Sequence, residues 1–133
     1  MAERVYCLYR GKNQESILMQ KNACHDFTEK KGWNIVGEEQ EIDVSGYKVS
    51  ADTCDKLQRI REAAERGEFD IFLVFMYDRL GRNLNETPFI AEWFTKKGIH
   101  VWSVYEGEII DAVDAERMLD YIRFWQTDEA QKL

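Results

Sequence analysis

The stretch from Phe69 to Tyr77, FDIFLVFMY, decides the fold because it is almost continuously apolar. Only Asp70 interrupts it. A strand with one face in water alternates apolar and polar residues, whereas a strand covered on both faces is apolar throughout. We therefore expect this stretch to be an inner strand of a sheet that carries helices on both faces.

Strand-like and helix-like segments alternate on either side of this stretch. Further β-prone runs lie at Val5–Tyr9, Trp33–Val36 and Ile99–Val104, and a polar loop is expected over Glu38–Ser50. Between the runs, apolar residues recur at helical spacing, and a glycine follows each helical segment. The segments contain Ile17, Gln20, Cys24 and Phe27 before Gly32; Leu57, Ile60 and Ala64 before Gly67; and Pro88, Phe89, Ile90, Trp93 and Phe94 before Gly98.

A last helix is expected from about Val113 onwards, which completes an alternating order of strands and helices. This order predicts an α/β fold with a single open, mostly parallel sheet of about four strands and helices on both faces. The last helix carries an unusually wide apolar stripe, formed by Met118, Tyr121, Ile122 and Trp125. The stripe either packs on the sheet or contacts another subunit.

The size and charge of the chain narrow the classes of function. Its 133 residues suit one domain, 1–133. Lys and Arg total 18 against 25 Asp and Glu, a net charge of −7 that disfavours DNA binding by bulk charge but permits a local basic site. Three cysteines without C-x-x-C spacing indicate reduced thiols in a cytoplasmic protein, and no residue pattern indicates a metal, a cofactor or a membrane span.

Basic residues follow two of the predicted strands. Arg10 ends the first strand, and the long apolar strand is followed by Asp78, Arg79 and Arg82. Ligands of open parallel sheets bind beyond the carboxyl ends of the strands. A guanidinium donates two parallel hydrogen bonds to a phosphate and stays charged, so these positions indicate a phosphate site. A salt-bridge cluster at the surface is the alternative, because D-R-x-x-R alone is a weak motif.

Gln20 is a polar residue on the apolar stripe of the first helix. A buried amide must be hydrogen-bonded, and the end of the first strand near Arg10 is its expected neighbour. Gln20 then either supports the site or makes a structural hydrogen bond to the backbone.

In combination, the motifs resemble the catalytic domain of serine recombinases of the resolvase/invertase family, and in particular of large recombinases of transposon or phage type. The residues that carry the resemblance are LYR at 8–10, ILMQKNAC at 17–24, KKGW at 30–33, DVSGYKVSADT at 43–53, YDRLGRN at 77–83 and GIHVWSVYEGE at 98–108. They extend over nearly the whole chain and occur in the order of the family.

The resemblance implies a site-specific DNA recombinase that cleaves and rejoins DNA through a serine nucleophile, with no metal or cofactor. It implies that Arg10, Arg79 and Arg82 bind the scissile phosphate, that Asp78 orients the arginines or assists proton transfer, and that Gln20 supports the site. The last helix would begin the family's dimerisation helix, which implies homo-oligomers: a dimer, and a tetramer in the synaptic complex. The separate DNA-binding domain of such enzymes is expected downstream of residue 133.

Two positions depart from the family pattern. The family has its serine two residues after the first arginine, but here the run is Arg10-Gly11-Lys12-Asn13. Ser16 is the nearest hydroxyl, and its place at a helix start favours an N-cap role. The chain is therefore either a degenerate, non-enzymatic oligomerisation or DNA-bound partner, or a sequence from which a short loop after Arg10 is missing.

The second departure lies in the loop before the second helix. Cys54 stands where the resemblance calls for an arginine that contacts DNA phosphate. Lys48 and Lys56 lie close to this position in sequence, and Lys12 follows the first strand. We expect these three lysines to contact DNA.

Overall fold

The computed structural model describes residues 3–42, 55–77 and 87–109. The described residues form an open five-stranded sheet with strand order β2-β1-β3-β4-β5. The first four of these strands are parallel, and β5 pairs antiparallel with β4. In chain order the elements are β1 (Arg4–Gly11), α1 (Gln14–Lys31), β2 (Asn34–Ile42), α2 (Asp55–Glu65), β3 (Ile71–Val74), α3 (Thr87–Lys96), β4 (His100–Ser103) and β5 (Gly107–Ile109).

Two apolar clusters, one on each face of the sheet, hold the helices. Because side chains alternate along a strand, β1 contributes Val5, Cys7 and Tyr9 to the face that α1 covers and Leu8 to the other face. The second face packs against α2 and α3. All four residues of β3 are buried, as the apolar run at 69–77 predicts. The predicted sheet with helices on both faces is thus confirmed.

The first helix follows its predicted pattern closely. Ile17, Gln20 and Cys24 are buried on the sheet side, and Phe27 is partly buried. Gly32 ends the helix in the left-handed conformation, with φ of 74°, which glycine adopts without steric cost.

Several boundaries differ from the expectations. β2 continues to Ile42, so residues 38–42 of the expected polar loop belong to a strand. β3 is shorter than the apolar run that contains it, and β5 was not predicted. Pro88 lies in the first turn of α3. Phe89 is exposed, whereas Ile90 and Phe94 are in the core.

Other expectations fall outside the described residues. These are the last helix with Met118, Tyr121, Ile122 and Trp125, the loop with Lys48 and Cys54, and the segment with Asp78, Arg79 and Arg82. None of the helices in the described ranges combines the length and the apolar character that a membrane span requires.

Candidate functional site

The topology brings the end of β1 next to the end of β3. The two strands are parallel neighbours, with Leu8 opposite Val74. Arg10 lies two residues beyond Leu8, and the described chain continues past Val74 to Tyr77, the residue directly before Asp78. Arg10 and Tyr77 therefore follow their strands at the same edge of the sheet, which is the edge where ligands of parallel sheets bind.

Arg10 is a buried cation, with 8% of its surface exposed. It lies opposite Glu41 in the pairing of β1 with β2. Its Nε is 3.5 Å from Oε2 of Glu41, whose side chain is 14% exposed. A buried charge needs a partner of opposite sign, so Glu41 compensates the guanidinium and holds it at the edge of the sheet. The sequence did not predict this role, because Glu41 falls in the expected loop.

Gln20 holds the backbone of Arg10 from the other face of the sheet. Its Oε1 accepts from the Arg10 N–H at 3.1 Å, and its Nε2 donates to the Arg10 carbonyl oxygen at 2.6 Å. The amide is fully buried. The expected proximity of Gln20 and Arg10 is confirmed, and the contact is to the backbone. By the alternation along β1, the guanidinium lies on the α2 and α3 face, so backbone and side chain are held from opposite sides.

The N-cap role expected for Ser16 is wrong, because Asn13 occupies that position. Asn13 is the N-cap of α1, and its Oδ1 accepts from the Ser16 N–H at 2.9 Å. The Ser16 hydroxyl instead accepts from Nε2 of Gln20 at 3.2 Å. A Cβ added to Gly11 would lie 2.5 Å from this hydroxyl oxygen, so only glycine fits there without a shift of the neighbouring residues. Gly11, Ser16 and Gln20 thus form one tightly packed support beneath Arg10.

A second carboxylate of β2 holds further cations on the same face as Arg10. Glu39 lies two residues before Glu41, and its Oε1 is 3.9 Å from Nζ of Lys56 and 3.4 Å from Nη1 of Arg59. Positions two residues apart on a strand share a face. The cationic row of Arg10, Lys56 and Arg59 therefore follows the acidic residues of β2. Of the other lysines expected to contact DNA, Lys12 is exposed at the turn after β1.

Two tyrosines of β1 bind carboxylates of β2, Tyr6 on the face of this row and Tyr9 on the face that α1 covers. The Tyr6 hydroxyl donates to Glu39 at 3.0 Å and the Tyr9 hydroxyl donates to Glu38 at 2.7 Å. Burial, together with the hydrogen bond to Glu39, raises the pKa of Tyr6 to about 12. Burial also raises the pKa of Tyr9. For Glu38, burial alone would raise the pKa, but hydrogen bonds from Tyr9 and His25 lower it below its ordinary value.

Among the described residues, no group of three or more histidines, cysteines or acidic residues is arranged to bind a metal ion. Of the three cysteines, Cys7 and Cys24 are described, and both are buried and form no disulfide with each other.

The family of the chain follows from a match over most of its length. A family model described as the N-terminal domain of resolvases matches residues 10–129. The chain belongs to the resolvase family. The matched range begins at Arg10 and includes Gln20, Glu41 and the D-R-x-x-R segment. The resemblance to serine recombinase catalytic domains that the sequence motifs predict is thereby confirmed.

Three solved structures share the fold of the chain. The N-terminal catalytic domain of TP901-1 integrase is 25% identical, with a TM-score of 0.72 and coverage of 93% of this chain and 96% of that one. A resolvase family site-specific recombinase from Streptococcus pneumoniae is 19% identical, with a TM-score of 0.73 and coverage of 98% and 92%. The C-terminal catalytic domain of ISC1926 TnpA, an IS607-like serine recombinase, is 21% identical, with a TM-score of 0.65 and coverage of 90% and 79%. No curated protein sequence matches the chain.

Proposed function

We propose that this resolvase-family domain is the catalytic domain of a site-specific DNA recombinase and that Arg10, Arg79 and Arg82 bind the phosphodiester at which the DNA is cut. The observation that carries the proposal is the buried, doubly supported Arg10 at the carboxyl edge of the sheet. An exposed salt-bridge cluster, the alternative interpretation, does not explain why an arginine would be buried and its backbone held by a buried amide. A preorganised cation at a strand end is what an anionic transition state requires.

The reaction expected from the family is a phosphoryl transfer without a metal. A serine hydroxyl gives up its proton as its oxygen attacks the phosphorus, the bond from phosphorus to the 3′ oxygen breaks, and the 3′ oxygen takes up a proton. The DNA 5′ end is left on the serine as a phosphodiester, and attack by a 3′ hydroxyl reverses the step. The arginines stabilise the negative charge that develops on the phosphoryl oxygens. Asp78 orients the arginines or assists the proton transfer.

A test of phosphate binding uses this chain and a short fluorescein-labelled DNA duplex. Fluorescence anisotropy at increasing salt gives the affinity and its salt dependence, whose slope changes by about 0.9 for each duplex phosphate that the protein neutralises. Arg10→Gln is expected to weaken binding and reduce the slope. The matched control is Arg66→Gln, because Arg66 is exposed and its Nε is 2.8 Å from Oε2 of Glu68, before β3. Equal effects of the two substitutions would contradict the proposal.

A second candidate function is a non-enzymatic partner that binds DNA or an active relative. The observation that favours it is the run Arg10-Gly11-Lys12-Asn13, which contains no serine. Denaturing gel electrophoresis after incubation with DNA separates the two candidates, since a recombinase forms a covalent adduct and a partner protein does not. If an adduct forms, peptide mapping of the residue that carries the nucleotide identifies the nucleophile.

We also propose that Met118, Tyr121, Ile122 and Trp125 form a contact between copies of this chain, as the family's dimerisation helix would. Their apolar stripe at helical spacing supports the proposal. Light scattering after size-exclusion chromatography should give a dimer for the unmodified chain and a monomer for Ile122→Lys. A monomer for the unmodified chain at high concentration would refute it.

A further inference from the structure

The turn between β4 and β5 is tied to the chain that leaves β3. The Tyr77 N–H donates to Oε1 of Glu106 at 2.8 Å, and the Tyr77 hydroxyl donates to the carbonyl oxygen of Gly107. On the same turn, the Val104 N–H donates to the Val74 carbonyl oxygen at 3.0 Å. The chain beyond β3 is thus bound to residues 103–107 through backbone and side chain.

The carboxylate of Glu106 is itself held in place. The Glu106 N–H donates to Oγ of Ser103 at 2.7 Å, and the Ser103 hydroxyl is 3.4 Å from Oε1 of Glu106. Ser103 is fully buried. Gly107 has φ of 92°, so the turn needs glycine at this position. The contacts within the turn therefore orient the Glu106 side chain independently of its hydrogen bond with Tyr77.

The contact between Glu106 and Tyr77 lies directly before the D-R-x-x-R segment in the sequence. Tyr77 is 1% exposed and directly precedes Asp78, so its backbone is the last described point before the D-R-x-x-R segment. We propose that Glu106 is a positioning residue that fixes the start of this segment, so that Arg79 and Arg82 reach the same phosphate as Arg10. This inference rests on the proposed function of the three arginines.

A carboxylate suits this task better than a neutral side chain. A charged acceptor makes a shorter and stronger hydrogen bond to a backbone N–H than a neutral one does. The glutamine variant keeps an acceptor oxygen at the same position, whereas alanine leaves the Tyr77 N–H without Oε1. The pair Glu106→Gln and Glu106→Ala therefore separates the hydrogen bond from the charge.

The test measures hydrogen exchange and DNA binding of this chain in both variants. The control is Glu92→Ala, because Glu92 lies exposed on α3 and its Oε1 is 3.0 Å from Nζ of Lys96. In Glu106→Ala, exchange should rise in peptides covering 77–83 and stay unchanged in peptides covering α2. Its affinity for the duplex should fall about tenfold, because the segment after Tyr77 must then be ordered when the DNA binds. The salt slope should fall as well, by about 0.9 if one fewer phosphate is neutralised. Glu106→Gln should retain most of the protection from exchange and most of the DNA binding.

The outcomes separate this inference from the proposed function. A merely structural role of Glu106 would lower the melting temperature and the amount of folded protein, but it would leave the salt slope unchanged and so overturn the inference. Unchanged exchange at 77–83 in Glu106→Ala would also overturn it while the wild-type chain still binds DNA. If the wild-type chain binds no duplex, the proposed function fails and the inference fails with it, even where the exchange rises.

Discussion

Gln20 and Arg10 are ten residues apart in the sequence and joined by hydrogen bonds at both polar groups of the glutamine amide. The amide oxygen accepts from the Arg10 N–H, and the amide nitrogen donates to the Arg10 carbonyl oxygen. The Gln20 side chain links the buried face of α1 to the end of β1. Because it is buried, its polar groups depend on these partners.

Gln20→Leu is expected to lower the free energy of unfolding by about 1–3 kcal/mol, because it leaves buried polar groups of Arg10 without their partner. Urea denaturation followed by tryptophan fluorescence measures the decrease. Gln58→Leu is the matched control, since Gln58 is exposed on α2. A decrease of similar size in both variants would show that the amide contributes no special support to Arg10.

The ion pair between Arg10 and Glu41 predicts strong coupling between the two residues. Removing one member leaves the other as a buried charge, whereas removing both does not. The double variant Arg10→Gln/Glu41→Gln should therefore be more stable than the sum of the single effects allows, with a coupling energy of about 0.5–3 kcal/mol. Urea denaturation of the unmodified chain, the two single variants and the double variant measures this coupling energy. Additive effects would contradict the pairing seen at 3.5 Å.

The elements that the sequence predicts well are those whose signal is local. The run FDIFLVFMY contains β3, and the spacing of Ile17, Gln20 and Cys24 identifies the buried face of α1, because burial on both faces or on one stripe leaves a regular pattern in the residues themselves. Because a buried amide must be hydrogen-bonded, the place of Gln20 on this face also predicts its contact with the end of β1 near Arg10.

The missed elements depend on pairing that no local pattern shows. The second half of β2 reads as a loop because Glu38, Glu39 and Glu41 are polar, yet each binds a side chain of β1. Strand preference depends strongly on such neighbours across the sheet. Glu41 was missed for the same reason. β5 has three residues, too few to show any period.

The close approach of Gly11 to Ser16 predicts that Gly11→Ala is destabilising. The added Cβ would lie 2.8 Å from Cβ of Ser16 as well as 2.5 Å from its hydroxyl oxygen, so the end of β1 or the start of α1 must move. We expect the free energy of unfolding to fall by about 1–3 kcal/mol, as for other overpacked sites. Thermal and urea denaturation measure it. The Ser16→Gly background removes both contacting atoms, so Gly11→Ala should lower the free energy of unfolding clearly less there. An equal decrease in that background would exclude the clash as its cause.

The buried tyrosine hydroxyls of β1 predict a decrease in stability at alkaline pH. Burial and the hydrogen bond to Glu39 raise the pKa of Tyr6 from 10.0 to about 12 in the folded chain. As the pH rises above 10, the unfolded chain loses this proton while the folded chain keeps it. The stability contributed by Tyr6 is therefore fully present below pH 10 and is lost as the pH approaches 12, and the raised pKa of Tyr9 acts in the same direction.

Urea denaturation at a series of pH values tests this prediction. Tyr6→Phe should make the alkaline decrease in the free energy of unfolding less steep, because phenylalanine has no proton to lose. Tyr105→Phe is the matched control, since Tyr105 is 64% exposed. If Tyr6→Phe and the control give the same pH dependence as the unmodified chain, the hydroxyl of Tyr6 does not couple folding to proton release, and its bond to Glu39 does not hold the second strand in the way that the geometry indicates.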